Sequence, residues 1–290
     1  MTLRTDNGAS KGALESATLL AERLTSVVKE MNSVAVALSG GVDSTVVAAA
    51  AFKALGDRAI AVTGKSPSLA ESELLAARNA AAIVGIKHVI FETHEFDDGN
   101  YVRNDGTRCY YCKSELYDRT VAYCKQQGIS IVCSGANLDD LGDYRPGLTA
   151  AAERGIRHPL QEAGLGKNEV RAIARLWNLP NWDKPASPCL SSRIAVGLEA
   201  TPERVRRIEL AEAFLKERGF VNLRVRCHHG ELARIESSVE DIARLTSSPF
   251  RLELADEFRR LGFNYVSVDL DGFRSGSLNV MVPVEALSKR

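Results

Sequence analysis

Two groups of residues in this 290-residue chain have the types and spacing to do chemistry. The first is Ser39-Gly40-Gly41-Val42-Asp43-Ser44, set between the apolar run Val34 to Leu38 and an apolar stretch from about Thr45 to Leu55. Successive backbone N–H groups at a strand-to-helix turn cradle an anion, and two glycines let the backbone approach a phosphate closely. Ser39 and Ser44 add hydroxyl donors, and Asp43 is suited to holding Mg²⁺ against phosphates. A plain tight turn with an Asp near a helix start uses the same residues, but the strand-loop-helix setting favours the phosphate loop. The hexapeptide carries no lysine of the Walker A kind. The second group is the cysteines: Cys109 and Cys112 in Arg108-Cys109-Tyr110-Tyr111-Cys112-Lys113, and Cys189 in Lys184-Pro185-Ala186-Ser187-Pro188-Cys189-Leu190-Ser191-Ser192-Arg193. Thiols at the C-x-x-C spacing reach one metal centre, form a redox pair, or are inert. Cys124, Cys133 and Cys227 have apolar or strand neighbours and read as packing residues.

Three further features bear charge. An apolar run at Ile131 to Cys133 leads into an acidic loop with Gly135, Asp139, Asp140 and Asp143, whose acids either share Mg²⁺ with Asp43 or merely cap a helix. Arg224 and Arg226 alternate on a strand and so face one side, where a pair of guanidiniums grips a phosphate or simply solubilises the surface. His228 and His229 are adjacent, point opposite ways, and read as surface residues. The stretch Lys167 to Arg175 is an amphipathic helix whose basic residues either reach phosphate or face water.

The elements that must position these groups follow from hydrophobic period. Helical spacing from Ala13 to Met31 precedes strand Val34 to Leu38. Strands at Ala59 to Thr63, Lys87 to Phe91 and Ile129 to Ser134 then alternate with helices at about Thr45 to Leu55, Ala70 to Val84 and Tyr111 to Gln127. That alternation is the pattern of an α/β fold, a parallel sheet with helices on both faces, whose ligands sit beyond the carboxyl ends of the strands. From about Trp182 the texture changes to a Pro- and Ser-rich crossing. A helix at Pro202 to Arg218, a strand pair at Val221 to Arg226 and Leu232 to Ile235, a helix near Arg251 to Leu261 and a strand at Tyr265 to Leu270 follow. The expected division is residues 1–185 as the phosphate-loop domain and 186–290 as a smaller α+β domain for substrate and oligomerisation.

Lys+Arg and Asp+Glu balance at 37 each, so no basic excess points to a nucleic acid, and a small-molecule substrate is favoured. The amino-terminal residues have neither the basic start nor the continuous apolar core of a secretory signal, and no run approaches the length of a membrane span, so a cytoplasmic location is expected.

SGGVDS resembles the PP-loop signature of ATP pyrophosphatases, which cleave ATP between the α and β phosphates and transfer AMP. Together with CYYC, SGANLDDLGDYRPG, KPASPCLSSRIAVG and RVRCHHGELARIE, in that order, it resembles the LarE family of pyridinium-3,5-biscarboxylic acid mononucleotide sulfurtransferases, from about Ser39 to Asn279. The resemblance implies a PP-loop fold with an α+β carboxyl-terminal domain, and an enzyme that adenylates a substrate carboxylate with ATP and Mg²⁺ and replaces the activated oxygen by sulfur in nickel-pincer nucleotide synthesis. It implies Ser39, Gly40, Gly41, Val42, Asp43, Ser44 and Gly135 at the nucleotide, Glu212, Arg224 and Arg226 at the substrate, and Cys189, Asp43 and Arg193 in catalysis. It further implies a homo-oligomer, with a sulfur donor or nickel-insertion protein as partner. Of the family's two sulfur sources, one is a single sacrificial cysteine at the position of Cys189. The other is a 4Fe-4S cluster on three cysteines with one iron open, and Cys109, Cys112 and Cys189 fit that pattern.

Overall fold

The computed structural model describes residues 7–141 and 146–274. Asp143 of the acidic loop, and the last residues of the stretch that resembles the LarE family, lie outside them. In chain order the elements are α1 (Asn7–Lys29), β1 (Val34–Ala37), α2 (Val42–Leu55), β2 (Ala59–Lys65), α3 (Glu71–Val84), β3 (Lys87–Glu92), α4 (Gly99–Val102), α5 (Arg108–Gln127), β4 (Ile131–Cys133), α6 (Pro146–Glu153), α7 (Pro159–Glu162) and α8 (Lys167–Leu176). After them come α9 (Pro202–Glu217), β5 (Arg224–His228), β6 (Leu232–Glu236), α10 (Ile242–Thr246), α11 (Phe250–Arg260) and β7 (Tyr265–Val268).

The chain divides into two compact units. The first runs through Lys65 and takes in Glu71–Thr93 and Lys113–Ser187; the second comprises Ser66–Ala70, His94–Cys112 and the chain from Pro188 onward. The short segments Ser66–Ala70 and His94–Cys112, which a single cut at residue 185 assigns to the first unit, are grouped with the second.

In the first unit four parallel strands pair in the order β3-β2-β1-β4. The period of two sorts their side chains between two cores. Val34, Val36, Ala59 and Ala61 face one, with Leu24 and Val28 of α1, Val46 and Val47 of α2, Ala77 of α3 and Ile173 of α8. Ala35, Ile60, Val62 and Val132 face the other, with Tyr117 and Cys124 of α5 and Ala151 of α6. The run Ala48–Ala51 of α2 is buried, small side chains letting this helix lie between sheet and neighbours. The helix-covered parallel α/β sheet is thus the observed architecture.

In the second unit β5 and β6 pair antiparallel and β6 and β7 parallel. Their core holds Ile208, Ala211 and Leu215 of α9, Val225 and Cys227 of β5, Ile235 of β6, Leu254 and Phe258 of α11, and also Tyr101, Leu190 and Ile194. Strand β5 starts and ends a few residues later than the apolar pattern suggests, whereas β6 starts at the expected Leu232 and ends one residue later, at Glu236, which pairs in register with Arg224. Among the described residues no helix is long and apolar enough to cross a membrane.

Candidate functional site

The loop that follows β1 is curled on itself. Ser39 N–H donates to Ser44 Oγ at 3.1 Å, the Ser39 and Ser44 hydroxyls lie 3.1 Å apart, and Ser44 Oγ donates to the Gly41 carbonyl at 3.2 Å. Val42, Asp43 and Ser44 then form the first turn of α2, whose N–H groups have no intrahelical acceptor and whose dipole favours an anion. Gly40 has φ of +75°, and a Cβ there would stand 2.7 Å from the Ala77 nitrogen. Gly135 serves by close approach alone: a Cβ on it would lie 2.6 Å from the Ser44 nitrogen. All seven nucleotide candidates therefore meet at one end of the sheet.

Asp43 is held at both oxygens. Asn137 Nδ2 donates to Oδ1 at 3.0 Å, and Lys167 Nζ forms an ion pair with Oδ2. Two acids of the second loop bind backbone: Asp140 accepts from Asn137 N–H at 2.9 Å, and Asp139 accepts from Lys167 N–H at 2.6 Å at the start of α8. They build the platform that orients Asn137 and Lys167. One carboxylate that already attracts a cation, beside a phosphate cradle, suits Mg²⁺, which takes one or two carboxylates with phosphate oxygens and waters. On the other flank Asn181 Nδ2 and Lys184 Nζ donate to the Gly40 carbonyl at 3.1 and 3.3 Å, and Lys184 pairs with Glu73 of α3 at 2.7 Å. Asn137, Asn181, Lys184 and Glu73 are neighbours of the loop that sequence reasoning did not single out. The lysine absent from the hexapeptide was the signal to look for cations elsewhere.

In the second unit Cys109 and Cys112 lie one helical turn apart at the start of α5, and Cys189 precedes the 3₁₀ turn Leu190–Arg193. Cys109 is exposed, and Cys112 and Cys189 are half-buried. All three are electrostatic neighbours of the buried Arg108 guanidinium. Burial works against its charge, but Cys189, Cys109, Tyr101 and Cys112 outweigh it and hold its pKa above that of an ordinary arginine. Arg108 is fixed by Asn104 Oδ1 at 2.5 Å and the Ser191 carbonyl at 2.7 Å, and Tyr101 and Ser191 share a hydroxyl contact at 2.8 Å. Burial, then Cys189, raises the Tyr101 pKa, so that phenol stays protonated. Glu95 is 2% exposed and accepts from Ser68 at 3.1 Å; its Oε1 lies 4.0 Å from Cys112 Sγ, and its Oε2 has no hydrogen-bond partner among the described residues.

Among the described residues no three His, Cys, Asp or Glu side chains are grouped to hold a single metal ion. A cluster is a wider target, since its thiolates bind separate irons. Three cysteines that are electrostatic neighbours of a buried guanidinium, whose charge would offset negative charge, fit an anionic iron–sulfur group. By contrast Cys124, Cys133 and Cys227 are buried packing residues. Burial pushes their thiols up to about 11, 12 and 12 respectively.

Arg193 clamps the Cys189 turn: it donates to the carbonyls of Pro188 and, at 2.7 Å, of Cys189, while its Nε meets Glu212 at 3.0 Å. Glu212 also accepts from Val225 N–H at 3.2 Å. Arg226 meets Glu236 at 2.8 Å and donates to the Ser192 carbonyl at 3.2 Å. Arg224 lies over the Phe273 ring at 5.1 Å, and burial, then Arg193, lowers its pKa. Arg193 with Glu212 and Arg226 with Glu236 thus form buried ion pairs, and Arg224 is half-buried beside them rather than spread on a solvated strand. His228 departs from the surface reading: it is half-buried on β5 and accepts from Arg234 Nε at 3.0 Å, while His229 is exposed.

Comparison with known proteins places this geometry. The asparagine synthase family model matches residues 16–103. An uncharacterized protein of Synechocystis sp. is 45% identical, with 89% of this chain and 96% of that protein covered. The pyridinium-3,5-bisthiocarboxylic acid mononucleotide synthase of Lactiplantibacillus plantarum is 36% identical, with 91% and 95% covered. An uncharacterized protein of Methanocaldococcus jannaschii is 28% identical, with 83% and 90% covered. With a phosphate loop of this form and a relative of that identity matched along nearly its whole length, the chain belongs to the LarE family of sulfur-transferring enzymes in the PP-loop ATP pyrophosphatase superfamily.

Proposed function

We propose that the chain adenylates a carboxylate of a pyridinium dicarboxylate mononucleotide with ATP and Mg²⁺, and replaces the activated oxygen by sulfur carried on a 4Fe-4S cluster, in nickel-pincer nucleotide synthesis. The name of the Lactiplantibacillus plantarum relative, a bisthiocarboxylic acid mononucleotide synthase, supports the exchange of oxygen for sulfur. The C-x-x-C spacing of Cys109 and Cys112 at the start of α5, with Cys189 as a third electrostatic neighbour of Arg108, supports the choice of sulfur source.

In this reading the curled loop and the first turn of α2 bind the β and γ phosphates, and Asp43 receives Mg²⁺. A substrate carboxylate oxygen attacks the α phosphorus and pyrophosphate leaves, making a poor leaving group into a good one. Sulfur then adds to the acyl carbon and AMP departs with the original oxygen. When bound, the cluster supplies the sulfide from its open iron, and Cys109, Cys112 and Cys189 are the residues that hold it. Arg193 fixes the main chain at Cys189, and the half-buried Arg224 offers its guanidinium to the mononucleotide phosphate, with Arg226 held beside it on the strand by Glu236.

The test is iron and acid-labile sulfide on protein purified without oxygen, with Cys109→Ala as comparison. About four irons per chain, lost in the variant, is the expected result. Iron-free wild type would shift the sulfur source to Cys189 itself, consumed once per transfer.

A further inference from the structure

We infer that Lys167 is an exchangeable counter-ion of the phosphate loop. It neutralises Asp43 in the nucleotide-free chain and passes to the pyrophosphate when a divalent cation takes its place. The inference rests on the ATP-dependent reading above and concerns how the loop handles charge.

The loop must hold and then release a highly charged pyrophosphate, yet SGGVDS contains no cationic side chain. Among the described residues two ammonium groups reach it from other elements, and they differ in how they are held. Lys184 Nζ bridges Glu73 and the Gly40 carbonyl, so it ties the loop to α3 and shapes it. Lys167 has its main chain pinned, because its N–H donates to Asp139 at 2.6 Å, while among the described residues its ammonium meets Asp43. A fixed base with a flexible four-carbon stem suits a charge that moves a short way. The Lys167 side chain is one-third exposed, so neither position requires unpacking.

Asn137 holds Asp43 Oδ1 and so sets Oδ2 toward the ammonium. A divalent cation on that oxygen and the ammonium on the same oxygen exclude each other. Cation binding therefore competes with Lys167 until phosphates give the ammonium a second acceptor. Nucleotide and divalent cation then bind with reciprocal cooperativity, each lowering the cost of the other.

The test uses full-length wild type and Lys167→Met, which keeps the stem and removes the charge. Mn²⁺ binding without nucleotide, followed by its electron paramagnetic resonance, should tighten about threefold in the variant, the size of one partly exposed ion pair. Inorganic pyrophosphate with Mg²⁺, followed by calorimetry, should weaken at least about tenfold through loss of a charge-assisted hydrogen bond. AMP, which lacks those phosphates, should change by less than about twofold. Opposite signs for Mn²⁺ and pyrophosphate are the signature, because general damage to the loop weakens both. Lys167→Arg should stay near wild type for Mn²⁺, and Asp43→Asn should abolish Mn²⁺ binding in either background. Mn²⁺ binding unchanged or weaker in Lys167→Met, or equal losses for AMP and pyrophosphate, would overturn the inference alone. A wild type that binds neither ATP nor pyrophosphate would overturn the ATP-dependent reading with it.

Discussion

Replacing Gly135 by alanine tests how closely the segment after β4 must approach the phosphate loop. Gly135 is outside the positive-φ region, so alanine is conformationally acceptable and the cost is one of space. The added Cβ would lie 2.6 Å from Ser44 N, 2.9 Å from Ser44 Cα and 3.0 Å from the Asp43 carbonyl carbon. All three are backbone atoms, so no side-chain rotation relieves the contact. The first turn of α2 must retreat by roughly 1 Å to regain ordinary contact distance. Overpacking of this kind costs about 1–3 kcal/mol, which in a chain of this size lowers the melting temperature by roughly 2–10 °C. The displaced amides are those offered to phosphate, so ATP affinity should fall at least about tenfold for each charge-assisted hydrogen bond lost. Calorimetry with ATP and a thermal melt give both numbers. Gly99→Ala is the control, since nothing lies within 4 Å of its Cβ position. A Gly135→Ala protein with wild-type melting temperature and ATP affinity would refute the close-approach argument.

Other outcomes follow from the buried charges. Arg193→Met strands Glu212, which is 2% exposed, leaving it the Val225 amide and the half-exposed Lys216 at 3.7 Å; urea denaturation should show a loss of about 3 kcal/mol or more, partly recovered by adding Glu212→Gln. Burial lowers the pKa of His88, helped by Arg78, of His158 against Glu162 and Asp140, and of His228, helped by Arg234. Below the unfolded histidine value of about 6.5 the unfolded chain therefore binds more protons, so the melting temperature should fall between about pH 7.5 and about pH 5.5. Glu162, held low first by its hydrogen bond to Arg157, adds a further loss only at more acidic pH, below the usual carboxylate range. Tyr101→Phe removes the hydroxyl contact with Ser191 and should cost about 1 kcal/mol by the same urea assay.

The parallel sheet was legible because its strands are short continuous apolar runs, and the phosphate loop because chemistry confines it to a strand-to-helix turn. The cysteines were legible as a set through the family pattern. Their setting was not: Arg108, Tyr101 and Asn104 join the Cys189 segment through Ser191, Ala195 and Leu198, about ninety positions away, and no local period encodes such contacts. The same long-range bonds, with Leu190 N–H donating to Ser68 O at 2.8 Å, explain why two short segments group with the second unit. Lys167 read equally well as a solvated residue, since only the fold shows Asp43 within its reach. Arg226 likewise gained a meaning from Glu236 across the β5–β6 pair, and His228 from Arg234.

The central claim is catalytic sulfur transfer to an activated carboxylate. Its most direct test is mass spectrometry of both substrate and polypeptide after incubation, without oxygen, of iron-replete protein with ATP, Mg²⁺, a sulfide source and the pyridinium dicarboxylate mononucleotide. The account predicts a product with sulfur in place of a carboxyl oxygen, equal amounts of AMP and pyrophosphate, several products per chain, and an unchanged polypeptide mass. A product capped at one per chain with sulfur lost from Cys189 would contradict the cluster as carrier, and no thiocarboxylate at all would contradict the account as a whole.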